Sequence, residues 1–331
     1  MNDLLNMPSA LDVKDAVVRF KRPRASDVQA VSGISVSLPQ QSTLALIGES
    51  GSGKSTLARA VCGLVPLTDG AVTVAGTQLQ QGPATARDAG AAGIQMVVQD
   101  SGGALNPRWP IWRIISEPAR LMQEKRGAEL RQIAAKIIRD IGLPEEFLTR
   151  YPHQLSGGQR QRINIARALA AEPNIIVLDE AVSALDLSVR NEILGLLAQL
   201  KRDRQLTYLF ITHDMGAVVQ IATHVAVLYL GRLVENGPVR EVVQTPKHPY
   251  TRALIGAVPT IGEKRAATIK ARGEADDAGA PPPGCRFHRR CPFAVDVCRQ
   301  TIPELSEYSG RLVACHRARE VDEFSSMGGT A

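Results

Sequence analysis

The sequence predicts an α/β fold with a mainly parallel sheet, and three observations carry that prediction. A short apolar run, TLALI at 43–47, feeds directly into a glycine-rich loop that opens a helix at Lys54. Further along, apolar strands alternate with helical segments: IIVLD at 175–179, a helix over 188–202, TYLFI at 207–211, a short helix, and HVAVLYL at 224–230. Strands that alternate with helices pair in parallel, because each helix carries the chain back across the sheet. Before them, 11–20 and 34–38 show near-alternation of apolar and polar residues, the period of strands buried on one face.

The remaining elements follow in chain order. GAVTVAG at 70–76 reads as a strand closed by glycine, and IQMVV at 94–98 as another. From Ile111 to about Ala171 the period turns helical, with Ile133, Ile137 and Ile141 recurring at i, i+4 and i+8. GRLVENG at 231–237 reads as a turn leading into Pro238, a residue suited to the first position of a helix. Residues 262–284 hold few large apolar side chains and end in three prolines, the composition of a linker. A compact cysteine-rich tail follows over 285–317. There is no internal repeat and no second glycine-rich loop.

Composition narrows the function classes. A chain of 331 residues has room for about two domains. With 44% hydrophobic and 22% charged residues it can bury a core. The net charge of +6 is mild for this length, and 4% aromatics argue against platforms that stack bases, so no nucleic-acid partner is expected. No apolar run approaches the length of a membrane span. Met1 to Phe20 carries Asp3, Asp12 and Asp15 without a basic start, so it is not a secretory signal, and a cytoplasmic location is expected.

Three motifs carry chemistry. Gly48-Glu49-Ser50-Gly51-Ser52-Gly53-Lys54-Ser55 fits G-x-x-x-x-G-K-S between a strand and a helix, with Thr56 next in that helix. Glycines let backbone N–H groups wrap phosphates, and the helix N-terminus adds partial positive charge. Lys54 reaches for the β- and γ-phosphates and Ser55 for Mg²⁺. The apolar strand 175–178 ends in Asp179-Glu180, which places Asp179 to hold Mg²⁺ and Glu180 to act as general base. Leu155-Ser156-Gly157-Gly158-Gln159 precedes a helix, with Ser156 as its N-cap.

LSGGQ between a P-loop and an acid-ended strand resembles the signature of the ATP-binding cassette (ABC) family. The resemblance implies further sites. Gln99 matches the Q-loop glutamine, Ser183-Ala184-Leu185-Asp186 the D-loop, His213 the switch histidine and Phe20 the aromatic that stacks on adenine. GGALNPRWPIWRIISEP, YPHQLSGGQRQRINIARALA, YLGRLVENGPVREVV and HPYTRALIGAVP resemble the oligopeptide/dipeptide importer branch, as does the tail GCRFHRRCPFAVDVC. That implies an α/β P-loop NTPase (RecA-like) core, an antiparallel β-subdomain, a helical subdomain around 105–165 and a cysteine-rich C-terminal extension. The expected organisation is a cassette over 11–260, a linker over 261–284 and the cysteine-rich region over 285–317.

The same resemblance implies ATP and Mg²⁺ as ligands and a second cassette, a paralogue, since P-loop and signature meet only between two chains. It implies two permease subunits and, through them, a periplasmic or lipid-anchored binding protein, with this chain on the cytoplasmic face of the inner membrane. Trp109 and Trp112 are candidates for a groove that receives a permease helix, or for ordinary core. The cargo is a peptide, or else nickel, an opine, an oligosaccharide or an antibiotic. A soluble ABC ATPase acting on DNA or ribosomes is the other class. About 100 residues between Ser55 and Ser156 leave no room for the long coiled coil of the chromosomal kind, and the ribosomal kind carries two cassettes. Three local departures stand out: Ala181-Val182 for Pro-Thr, Val98 for Phe, and Gln40-Gln41-Ser42 for a Gly-Glu turn. None removes a phosphate, metal or base group.

Four of the five cysteines, Cys285, Cys291, Cys298 and Cys315, crowd into the tail. In a reducing compartment thiolates so gathered favour a metal centre. No tight C-x₂₋₄-C pair suits zinc, whereas a 4Fe–4S cubane tolerates wider spacing. His288 and His316 keep zinc open, and four reduced structural cysteines are the third possibility. Arg286, Arg289, Arg290, Arg299 and Arg317 are expected to favour the thiolates. Cys62 reads as a small buried residue of the P-loop helix.

Overall fold

A computed structural model describes residues 8–22, 27–79, 88, 90, 92–257, 271, 273 and 279–321. Most of the expected linker, 261–284, lies outside them. Strands β1 (Ser9–Phe20) and β2 (Val28–Pro39) form a long antiparallel pair. β3 (Thr43–Ile47) is buried along its whole length and leads through the glycine loop into α1 (Lys54–Val61). β4 (Asp69–Val74) and β5 (Thr77–Leu79) complete a four-stranded sheet in the order β2-β1-β4-β5.

β6 (Ile94–Val97) is followed by a helical block: α2 (Ser101–Ala104), α3 (Ile111–Met122), α4 (Ala128–Asp140) and α5 (Gly157–Leu169). Ile137 and Ile141 are buried there as their spacing requires. Trp109 and Trp112 are half-buried against the same core, with the Arg113 and Arg131 guanidinia 4.2 and 4.6 Å over their rings. The chain then alternates: β7 (Ile175–Asp179), α6 (Leu187–Arg204), β8 (Thr207–Ile211), α7 (Met215–Ile221) and β9 (His224–Tyr229).

The 231–237 segment is not a turn. It is strand β10 (Arg232–Pro238), antiparallel to β9. The turn is only Leu230-Gly231, both at positive φ (44° and 78°), a tight hairpin geometry that Gly231 makes possible. Pro238 therefore sits at the N-cap of α8 (Val239–Gln244), one residue before the expected position. α9 (Pro249–Gly256) follows. In the tail, α10 (Asp296–Gln300) precedes β11 (Ser306–Tyr308) and β12 (Arg311–Val313).

These strands build one sheet in the order β11-β12-β10-β9-β3-β8-β7-β6. From β9 to β6 every pairing is parallel, as the alternation predicts. β12 pairs with β10, so the cysteine-rich tail continues the main sheet rather than hanging from it. Phe287, 1% exposed, belongs to the same hydrophobic core as the helical block.

Candidate nucleotide site

The glycine loop lies at the C-terminal edge of β3, wedged between two backbones. A Cβ on Gly48 would stand 2.2 Å from the Leu228 carbonyl oxygen, and one on Gly53 2.3 Å from that of Ala30. Gly51 and Gly53 take φ of +76° and +100°, a region costly for other residues. No side chain caps the N-terminus of α1, so its first N–H groups remain available to an anion. Lys54 is buried, and its Nζ donates to the carbonyls of Gly48 and Glu49, both at 2.8 Å, and to Ser52 Oγ at 3.3 Å. Burial pushes its pKa below the ordinary value, against the pull of Glu180, Asp179 and Glu49.

β7 delivers the acids. The Ser55 hydroxyl donates to Asp179 Oδ1 at 2.9 Å, joining α1 to the end of β7. Burial raises the Asp179 pKa and the Ser55 bond opposes the rise. Glu180 takes φ +50° and donates its N–H to Ile211 O, which turns its side chain out of the strand. Its Oε1 lies 3.8 Å from His213 Nδ1, beyond the end of β8. The Ser183 hydroxyl donates to the Glu180 carbonyl at 2.9 Å. One cluster thus holds a cation, a hydroxyl–carboxylate pair able to take a divalent ion, and a half-buried carboxylate beside an imidazole. A triphosphate with its Mg²⁺ fits that donor set.

The other predicted residues gather elsewhere. Gln99 is exposed after β6 and lines an open cleft of about 420 Å³ with Gly157, Arg160, Ala181, Ala184 and Leu185. No residue of 48–55 lines that cleft. Ser156 caps α5 reciprocally: Gln159 N–H donates to Ser156 Oγ at 3.3 Å and Ser156 N–H to Gln159 Oε1 at 2.9 Å. Gly158 packs so closely on α6 that a Cβ would meet Val189 Cγ1 at 2.5 Å. Asp186 N-caps α6, accepting from Val189 N–H and Ser188 Oγ, and these bonds hold its carboxyl below the usual range. Phe20 ends β1 with 43% of its surface exposed.

Comparison with known proteins agrees with this arrangement. Residues 31–183 match the ABC transporter family model, and 234–298 match that of the oligopeptide/dipeptide transporter C-terminal region. The di/tripeptide transport ATP-binding protein DppF of Pseudomonas aeruginosa (strain UCBPP-PA14) is 38% identical over 95% of this chain and 99% of its own. The dipeptide transport ATP-binding protein DppF of Escherichia coli (strain K12) is 42% identical over 87% and 86%. The chain belongs to the ABC transporter ATP-binding subunits of the oligopeptide/dipeptide family. A solved dimeric ABC cassette, MJ0796 bound to ADP and phosphate, superposes with a TM-score of 0.60 at 27% identity, covering 70% of this chain and 99% of its own. No helix among the described residues is long and apolar enough to cross a membrane.

In this ABC subunit the four tail cysteines line one cavity of about 20 Å³, together with His288 and His316. Burial, with charge on neighbouring thiols, raises Cys285 to about 11 and Cys291 and Cys315 to about 12. Among the described residues no three His, Cys, Asp or Glu groups are placed to hold one metal ion. The expected help from arginines is mostly absent. Arg286 donates to Leu230 O and Ser32 Oγ, Arg290 to Glu49, and Arg299 lies 3.9 Å from Asp296. The Arg317 charge lowers the Cys291 thiol, and the Arg317 backbone N–H lowers that of Cys315. These guanidinia find carboxylates and carbonyls that the linear sequence does not place beside them. Cys62 is buried at the end of α1, its thiol pushed up to about 12.

Two residues at the loop were not foreseen. Arg290 grips the Glu49 carboxylate with two bonds, 2.7 and 3.1 Å, and the Tyr250 hydroxyl accepts the Glu49 N–H at 2.8 Å. Arg290 was visible only among the arginines expected to favour the thiolates, and Tyr250 only within the segment HPYTRALIGAVP.

Proposed function

We propose that this chain is the ATP-hydrolysing subunit of a peptide importer, driving cargo through separate permease subunits. One observation carries the reading: Ser55 and Asp179 join the phosphate-loop helix to the acid-ended strand, with Glu180 and His213 beside them. On binding MgATP, Lys54 exchanges the carbonyls of Gly48 and Glu49 for phosphate oxygens, and the loop N–H groups close on the same phosphates. Ser55, Asp179 and Gln99 serve the Mg²⁺ that arrives with the nucleotide, and Phe20 stacks on adenine. Glu180 takes a proton from water as its oxygen bonds to the γ-phosphorus and the bond to the β-phosphate oxygen breaks. The products are ADP, phosphate and a proton, and His213 contacts the γ-phosphate.

Ser156, Gly157, Gly158, Gln159 and Asp186 act on nucleotide held by a second cassette, a paralogue. The dimeric form of the similar cassette supports this sandwich. Two permease subunits and an external binding protein complete the machine, and the chain sits peripherally on the cytoplasmic face of the membrane. The transport names of the relatives support a peptide cargo. The chain divides into a cassette over 11–260, a linker over 261–284 and a cysteine-rich region over 285–317.

In that region Cys285, Cys291, Cys298 and Cys315 hold a 4Fe–4S cluster whose role is structural, tying down a tail with little core of its own. Anaerobic purification followed by absorption at roughly 400 nm and iron analysis tests this. A colourless protein with about one zinc per chain replaces the cluster by zinc. For the ATPase, Glu180→Gln is expected to keep ATP affinity and lower turnover by about 10²–10⁴-fold in the assembled transporter. Near-normal turnover would remove Glu180 as the base.

A further inference from the structure

The phosphate loop is held at its second residue by a part of the chain that lies outside the nucleotide motifs. The Glu49 carboxylate receives both Arg290 Nη atoms, and the Arg290 side chain is only 11% exposed. Arg290 is itself seated on aromatic rings, its guanidinium 5.8 Å from the ring centres of both Tyr229 and Phe287. Tyr229, Tyr250 and Phe287 pack as a triad with centroids 4.6 to 5.4 Å apart. From that triad Tyr250 accepts the Glu49 N–H. Both the backbone N–H and the side chain of Glu49 are therefore held, at a position between Gly48 and Lys54. Bidentate guanidinium–carboxylate pairs fix orientation as well as distance.

We propose that Arg290 and Tyr250 are positioning residues for the phosphate loop: they hold Glu49 so that the loop is shaped for phosphate before nucleotide arrives. The inference rests on the reading of residues 48–55 as the nucleotide-phosphate loop. It places a function on the C-terminal region that is separate from any metal it holds. A preorganised loop binds more tightly because less ordering accompanies binding.

Charge alone makes a different prediction, which allows a clean test. Glu49 is one of the acids that act on Lys54, so removing its charge without disturbing the loop should favour an anionic ligand. The measurement is the MgATP dissociation constant of the full-length chain by calorimetry, for Arg290→Met, Arg290→Lys, Glu49→Gln, Tyr250→Phe and the Arg290→Met/Glu49→Gln double variant. Positioning predicts about tenfold weaker binding for Arg290→Met and for Glu49→Gln, about 1.4 kcal/mol each. The double variant is then no weaker than either single one, because both remove the same link. Arg290→Lys keeps the charge but not the fork, and falls between. In ATPase assays with the partner subunits, Arg290→Met and Tyr250→Phe raise KM while kcat at saturation stays within about twofold.

Unchanged or tighter binding by Glu49→Gln overturns the proposal, as does additivity in the double variant. Should Arg290→Met fail to fold, Glu49→Gln and Tyr250→Phe decide it, since neither alters the cysteine-rich region. A wild-type chain that binds no MgATP removes the nucleotide reading itself. Binding by wild type with no loss in these variants removes the positioning role alone.

Discussion

At the scale of single residues, the loop glycines are fixed by backbone proximity rather than by turn preference alone. Gly48→Ala drives a methyl group into the Leu228 carbonyl, a backbone atom that cannot swing aside. A destabilisation of about 1–3 kcal/mol is expected, with strong loss of MgATP binding, read by thermal melting and calorimetry. Gln41 makes the opposite case. It adopts φ +55° in the segment that leads into β3. Gln41→Gly relieves a left-handed conformation and is expected to stabilise the chain by about 0.5–1 kcal/mol, seen as a rise in Tm. A lower Tm would show that the Gln41 N–H bond to Thr207 Oγ1, at 2.9 Å, depends on the side chain's restraint of this turn. Residues 48–55 and Asp179-Glu180 were legible in the sequence because each motif is local: strand, ligand group and helix are neighbours along the chain. Arg290 was not, since nothing near it in the sequence names a carboxylate partner.

At the scale of elements, the signature segment is first a helix start. Ser156 and Gln159 satisfy each other's backbone N–H groups, and Ser156→Ala is expected to cost about 1 kcal/mol in thermal stability. Ser156→Arg adds a second consequence that stability does not explain. The chain's own phosphate loop stays intact while hydrolysis at the partner's loop falls, measured in dimers in which one site at a time is silenced at its base, Glu180 in this chain. Equal activity at both sites would contradict the shared-site arrangement. The parallel strands were legible because apolar runs and intervening helices are strong local signals. β10 was misread because two glycines, Gly231 and Gly237, bracket it. Only the first lies in the turn, while a Cβ on the second would meet Arg311 Cβ at 2.6 Å, so Gly237 serves the approach of β12. That need arises from a strand some seventy residues away and leaves no local trace.

At the scale of the whole molecule, the tail is locked into the cassette through buried charge. Arg311 and Glu235 are 1% and 0% exposed and lie 3.4 Å apart, with Glu235 also accepting the N–H groups of Lys247 and His248. Arg311→Met leaves that carboxylate buried without its cation, and about 3–5 kcal/mol of stability is expected to go, recovered in part by adding Glu235→Gln. Beside it, His248 is buried and its pKa is lowered from 6.5 to about 3. The unfolded chain therefore binds the proton first as pH falls, so stability is full above pH 6.5 and declines below it. By pH 5 the loss is about 2 kcal/mol. Glu235, raised by burial, acts with the opposite sign, and His224, lowered by burial, with the same sign. Comparing melting against pH for wild type and His248→Asn isolates the His248 share, because asparagine can still cap α9 at that position. Equal slopes would deny it. The bond from Arg290 to Glu49 spans 241 residues of chain. At about 5–20 residues per second, synthesis takes tens of seconds to pass from one to the other. A growing chain on the ribosome thus carries a complete phosphate motif before its brace exists, and under the positioning proposal its hold on ATP tightens once the cysteine-rich segment emerges.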